Sequence, residues 1–141
     1  MNKLPDGVTL QLYFSPVGAT CGDQDVLFSS SKKWLHPLFE LEVFLASHSV
    51  GESHDLLLRD TIVGRAAAFL ILRMRLRRVE TDLVSRRAIA LLKEHSIEFE
   101  ATLTVDAIDC MTEELLKDIS DPVTAYAILS ERRSKANLAV R

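Results

Sequence analysis

The stretch Leu56-Leu57-Leu58-Arg59-Asp60-Thr61-Ile62-Val63-Gly64-Arg65-Ala66-Ala67-Ala68-Phe69-Leu70 decides the fold. Three consecutive leucines run into a polar turn, and the turn opens a segment that is apolar on almost every side. A strand apolar at successive positions fits the centre of a sheet covered on both faces. The pairing is the strand-to-helix unit of an α/β sheet, in which ligands gather at the turn. The expected strand is Asp55 to Arg59 and the expected helix Thr61 to about Met74. That reading puts a carboxylate (Asp60), a hydroxyl (Thr61), a glycine (Gly64) and a guanidinium (Arg65) at one helix N-terminus.

The flanking segments extend the alternation. Upstream, Val8 to Phe14 is β-branched and aromatic-rich, a strand signal. Ser15 to Asp25 contains Pro16, Gly18 and Gly22 and reads as a long hairpin loop. Val26-Leu27-Phe28 is then the antiparallel partner. A helix begins near Pro37, with Leu38, Leu41 and Leu45 at helical spacing beside Phe44, and Gly51 ends it. Downstream, Val79 to Val84 is a further strand, and Ser85 caps a helix from Arg86 to His95 with Ala88, Leu91 and Leu92 inward. Phe99 to Val105 alternates with period two. Asp109 caps a segment through Asp118, and Ser120-Asp121-Pro122 starts a helix to Arg133. The order ββαβαβαβαα predicts a three-layer α-β-α sandwich around a mixed five-stranded sheet that opens with an antiparallel hairpin.

Composition fits one soluble domain over residues 1–141, with an ordered core at about 8–133 and a frayed tail at 134–141. The chain is 48% hydrophobic and 26% charged, with a formal net charge of −3. That balance gives no general attraction to nucleic acid or to anionic membranes. Two cysteines, Cys21 and Cys110, form no Cys-x-x-Cys pair, which disfavours a disulfide scaffold or a cysteine-rich zinc site. The first residues lack the apolar core of a signal peptide, and Ala66 to Leu72 is far short of the ~20 residues that span a bilayer. The expected location is cytoplasmic.

Several blocks together resemble a known family. They are Ser30-Ser31 through His36-Pro37-Leu38-Phe39-Glu40-Leu41, then Asp60 to Ala67, then Arg86 to His95, then Cys110 with Glu113. These blocks are similar to a prokaryotic domain family of unknown function whose members have a cytidine-deaminase-like fold. The resemblance spans roughly residues 8 to 133, with Asp60 to Ala68 its most specific part. This sequence departs from that family's pattern in three ways. It lacks a helix before the first strand, has His36 where a basic residue is usual, and has Met111 where a proline follows the cysteine. The missing helix predicts spare apolar surface on one sheet face, and with it self-association.

The deaminase likeness makes a chemical test possible. A zinc deaminase needs His or Cys followed by Glu at one helix start and Pro-Cys-x-x-Cys at the next. Here the first position reads Leu35-His36-Pro37-Leu38 and the second Asp60 to Arg65, with no thiolate at either. The sequence therefore predicts no metal, no cofactor and no hydrolytic deamination.

Two constellations remain. At the Asp60–Arg65 turn, free backbone N–H groups and the positive end of the dipole attract anions. Read as structure alone, Asp60 is an N-cap, Gly64 a packing glycine and Arg65 the partner of Asp60 or another acid. Read as a site, Asp60, Thr61, Gly64 and Arg65, with His36 and Asp106 nearby, hold a nucleotide-like or phosphate-bearing anion. The second constellation is Cys110 with Glu113. A helix start lowers a thiol pKa, whereas the surrounding acids Asp106, Asp109 and Glu113 raise it. Cys110, Glu113 and Asp60 are the candidates for catalysis. Trp34 beside Lys32 and Lys33 either stacks a base or wedges beneath a loop. Three functions follow: a small-molecule binding domain on a metal-free deaminase-like scaffold, a non-metal transferase acting on such a ligand, or a structural or homodimeric module.

Overall fold

Strand alternation sorts the side chains onto two faces, and that sorting places every other element. The computed structural model describes residues 1–16, 18–20, 24–108 and 114–139, with side chains described as far as 134. The order is β1 (Leu10–Phe14), β2 (Asp25–Ser30), α1 (His36–Ser47), β3 (Leu56–Val63), α2 (Arg65–Arg73), β4 (Arg78–Ser85), α3 (Arg86–Glu94), β5 (Glu98–Val105) and α4 (Pro122–Ala139). The five strands form one mixed sheet in the order β2-β1-β3-β4-β5. β1 is antiparallel to β2 and β3, whereas β3, β4 and β5 are parallel. β3 is the central strand of the expected α/β class.

Two neighbouring rows across the sheet show the sorting. Phe28, Leu12, Leu58, Val79 and Phe99 stand side by side, and Phe28 packs against Phe44 of α1 with ring centroids 5.3 Å apart. This is the helix-facing side. One residue along, Gln11, Arg59, Glu80 and Glu100 form a polar row on the other side.

Helices α1 to α4 lie over the apolar side. The crossovers β3-α2-β4 and β4-α3-β5 step across the sheet in the same direction, so right-handed connections place α2 and α3 on the same face. There α2 packs against α1, α3 and α4. Helix α4 is tied on by Tyr126, whose hydroxyl donates to Glu42 of α1 at 2.9 Å, while the Arg73 guanidinium of α2 lies 3.5 Å over the Tyr126 ring. Enclosure by a sheet and three helices explains why α2 is apolar all round: Ala66 to Ile71 are all buried.

The expected three layers are therefore corrected. Among the described residues no helix covers the second sheet face. The N-terminal segment lies against it instead, with Arg59 Nε donating to the carbonyl of Asn2 at 2.6 Å and Asn2 donating to Glu80 at 2.9 Å. The spare apolar surface expected there is, at the centre of the sheet, this polar row. Charged side chains at alternate positions need a polar cover, and a helix with an apolar stripe would bury them unpaired.

A second correction concerns the opening stretch. β3 does not stop at Arg59 but runs to Val63, and α2 starts at Arg65 with Gly64 as N-cap. Asp60 is thus a strand residue and not a helix cap. Pairing drives the extension, because the Thr61 N–H reaches the carbonyl of Thr9 at 3.2 Å and Ile62 and Val63 pair with Leu83 and Val84. Thr-Ile-Val is also strongly β-favouring. At the other end of the chain, α4 continues past Arg133 to Ala139, since no glycine or proline interrupts it.

α2 and α3 end with the same device. Arg75 and Ser96 adopt left-handed φ values of 61° and 57°. The next residues, Leu76 and Ile97, donate back to the carbonyls of Ile71 and Leu92 at 3.3 and 2.9 Å and are buried, giving two Schellman caps that aim the chain into β4 and β5. A non-glycine residue in the left-handed region costs about 1 kcal/mol. Ser96→Gly should therefore stabilise the fold by up to about 1 kcal/mol in chemical denaturation. A loss of stability would contradict the cap assignment.

Candidate functional site

Asp60 belongs to the helix-facing row Ser30, Leu10, Asp60, Thr81, Ala101. Alternation puts it there, since Leu58 two residues earlier lies on the same side. It is a carboxylic acid on the face that packs the core, only 8% exposed. Its Oδ1 accepts from the Thr61 N–H at 2.8 Å. Burial pushes its pKa up to about 7 from the ordinary 3.8. The N–H groups of Thr61 and Ile62 and the Arg59 charge partly oppose that rise, and the Asp82 charge adds to it. Arg59 points to the other side of the sheet, where its Nη2 pairs with Asp82 at 2.5 Å.

A cavity of about 390 Å3 opens beside this carboxyl. Its floor is Asp60, Thr61 and Ile62 at the end of β3, and one wall is the start of α2, Gly64 with Ala66 and Ala67. The opposite wall comes from the loop between β2 and α1, with Lys32, Lys33 and Trp34 at the rim and Leu35 and Pro37 below; Ile108, after β5, also lines it. The small side chains on α2 leave room for an occupant. Trp34 is 40% exposed and holds a left-handed φ of 58°. Its indole meets His36 edge-on at 5.2 Å and is tilted on Phe39 at 6.1 Å. Strain of this kind in a non-glycine residue persists where the surroundings fix it, and it concentrates at ligand clamps. Lys32 pairs with Glu40 at 3.2 Å.

The cavity brings together three of the six expected ligand residues, Asp60, Thr61 and Gly64. The other three sit elsewhere. Arg65 turns away, donating to the carbonyls of Leu116 at 2.8 Å, Arg87 at 3.2 Å and Ile119, with its guanidinium 5.2 Å over Phe69. It ties the segment before α4 onto α2 and α3 and does not line the cavity. Asp106 is a surface residue whose carboxylate pairs with Arg86 at 2.9 Å. His36 begins α1 beside Trp34 but does not line the cavity. Cys110, Glu113 and the capping Asp109 lie outside the described residues. Composition alone did not reveal Thr9, Leu35, Pro37 or Ile108 as lining residues.

The described residues of this site do not suit a zinc ion. The described groups at the floor that can bind a metal are one carboxyl and the Thr9 and Thr61 hydroxyls, and zinc sites require imidazoles or thiolates. Among the described residues no three His, Cys, Asp or Glu side chains converge.

Comparison with known families decides the affiliation. A model described as TM1506, domain of unknown function (DUF1893), matches residues 17–132. The chain belongs to the DUF1893 family. Among solved structures, it is similar to the DUF1893 family protein TM1506 from Thermotoga maritima, with a TM-score of 0.72 and 23% identity over 89% of this chain and 80% of that one. At that identity the likeness shows a shared fold. The comparison with curated proteins returned no match. In this DUF1893 domain no helix of the described residues is long and apolar enough to cross a membrane.

The buried carboxyl makes stability depend on pH. The folded Asp60 keeps its proton up to about pH 7, and the unfolded one only to about 3.8. Between those values unfolding releases a proton, so stability falls as pH rises, and above about 7 this contribution is flat. Wild-type protein should lose about 4 kcal/mol between pH 4 and pH 8 through this group. Asp60→Asn should remove that slope in denaturation curves taken across the range. An unchanged slope in the variant would show that Asp60 titrates normally.

Proposed function

We propose that this DUF1893 domain is a small-molecule binding module on a metal-free, cytidine-deaminase-like scaffold, and that a nucleotide-like or phosphate-bearing molecule occupies the cavity at the end of β3. One observation carries the reading: an apolar cavity of about 390 Å3 has a buried carboxyl at its floor and an indole with two lysines at its rim. Small-molecule sites combine an apolar concavity with few polar groups, at least one of them perturbed. The chemistry suits a flat polar ring bearing a charged tail. An indole face or edge contributes stacking, a carboxyl reads N–H groups, and ammonium groups attract phosphate. The scaffold reading is supported by the hairpin followed by two parallel crossovers in the order β2-β1-β3-β4-β5.

A second reading, non-metal transfer chemistry on the same ligand, is favoured by the same carboxyl. An acid with pKa about 7 is poised to give or take a proton at neutral pH. In that reading Asp60 is the general acid or base.

Trp34 is the sole tryptophan, so its fluorescence reports directly on the rim. Nucleoside monophosphates should change it saturably, and native mass spectrometry of freshly purified protein should show a bound small molecule. Ala67→Met, which fills the α2 wall, should weaken the titration at least tenfold. Binding of equal strength in that variant would place the ligand elsewhere.

A further inference from the structure

The cavity has two chemically different ends, and they fix which way round an occupant must lie. We propose that the ligand enters with an N–H-donating head group, such as the amino and ring N–H edge of a nucleobase, against Asp60 and leaves its anionic group at the mouth against Lys33. This rests on the binding reading given above and adds its polarity.

Among the described residues, the inner end carries an acceptor and nothing cationic that faces the cavity. Asp60 is buried there, its Oδ1 accepting from the Thr61 N–H, with the Ile62 N–H also favouring its charged form. Arg59, the nearest guanidinium on the same strand, is committed to the opposite face by Asn2, by the Asp60 carbonyl and by Asp82 of β4. The α2 wall supplies Gly64, Ala66 and Ala67, none of them ionisable. The start of α2 favours an anion through its dipole, but the Asp60 carboxyl opposes one at the same place. A phosphate pushed inward would meet that carboxyl in a water-poor site, where like charges repel strongly.

At the mouth the balance is reversed. Lys32 is held by Glu40, whereas Lys33 makes no ion pair with any described residue. A phosphate there stays partly hydrated and gains the Lys33 charge. The N–H head inside replaces the water that would otherwise solvate Asp60, so desolvation, the cost of burying this acid, is recovered on binding.

The orientation couples binding to a proton. A head group made of donors needs the acceptor form of Asp60, so the carboxyl gives up its proton to solvent as the ligand enters. The titratable groups that line the cavity with Asp60 are Lys32 and Lys33 from the β2–α1 loop, while Arg59 and Asp82 act on its charge from the other side of the sheet. The carboxyl of Asp60 titrates near neutrality.

Three probes separate the ends: guanosine (head alone), guanosine 5′-monophosphate (both) and ribose 5-phosphate (anion alone), each titrated against Trp34 fluorescence at pH 6 and pH 8. Guanosine, whose ring N–H and amino group can both donate to one carboxylate, should bind about tenfold more tightly at pH 8, the ratio set by ionisation of an acid with pKa about 7. Asp60→Asn should abolish that pH dependence. The monophosphate should bind more tightly than guanosine, and Lys33→Ala, an exposed change that leaves the fold intact, should erase that advantage without weakening guanosine itself. If ribose 5-phosphate binds as tightly as the monophosphate and more tightly at pH 6, the anion lies inside and the orientation is overturned while the binding site stands. If none of the three binds at either pH, the binding reading falls with it.

Discussion

Alternation along β3 is the constraint on which the rest depends. Leu56, Leu58 and Asp60 share one side of the central strand, and packing Leu58 against the helices commits Asp60 to the same side. A one-residue slip would exchange the whole set with Leu57 and Arg59. The register is held on both flanks, by β1 at Leu10 and Leu12 and by β4 at Val79 and Thr81. The acid is therefore not buried by a local accident that a loop movement could relieve. It is buried because the core is.

The same alternation explains the molecule's asymmetry. Odd-numbered positions of β3 and their neighbours place Gln11, Arg59 and Glu80 on the other side. That polar row is closed by Asn2 and an Arg59–Asp82 pair, so the helices gather on the first side. α2 then lies in the middle of the helical layer, and its short side chains Ala66 and Ala67 leave the cavity open above Asp60. Arg65 closes the opposite flank of α2 by holding the carbonyls of Leu116 and Arg87. One helix start thus serves a pocket on one side and a structural clamp on the other.

Much of this was legible in the sequence. The five strands, the hairpin, the Ser85 cap (whose hydroxyl accepts from the Ala88 N–H at 3.0 Å) and the inward positions Ala88, Leu91 and Leu92 follow from periodicity and capping chemistry. Asp-Thr before an apolar run has the composition of an N-cap, yet Asp60 is a strand residue. Its β-branched successors Thr61, Ile62 and Val63 were the contrary signal. Nothing local could reveal that Arg65 reaches carbonyls 51 and 22 residues away. Nor could local pattern show that Lys33 and Trp34 stand across a cavity from Asp60, since that juxtaposition comes from the packing of the β2–α1 loop on α2. The rim was visible only as an aromatic residue next to two lysines.

The central claim is that the core-facing side of β3 holds a carboxyl whose proton leaves near neutral pH. Carbon-detected NMR of protein labelled at aspartate carboxyl carbons, titrated from pH 3 to pH 9 and assigned with Asp60→Asn, measures it directly. The account predicts that the Asp60 resonance titrates with a midpoint of about 7. A midpoint near 3.8, the ordinary value, would mean that water reaches this carboxyl freely and would contradict the account.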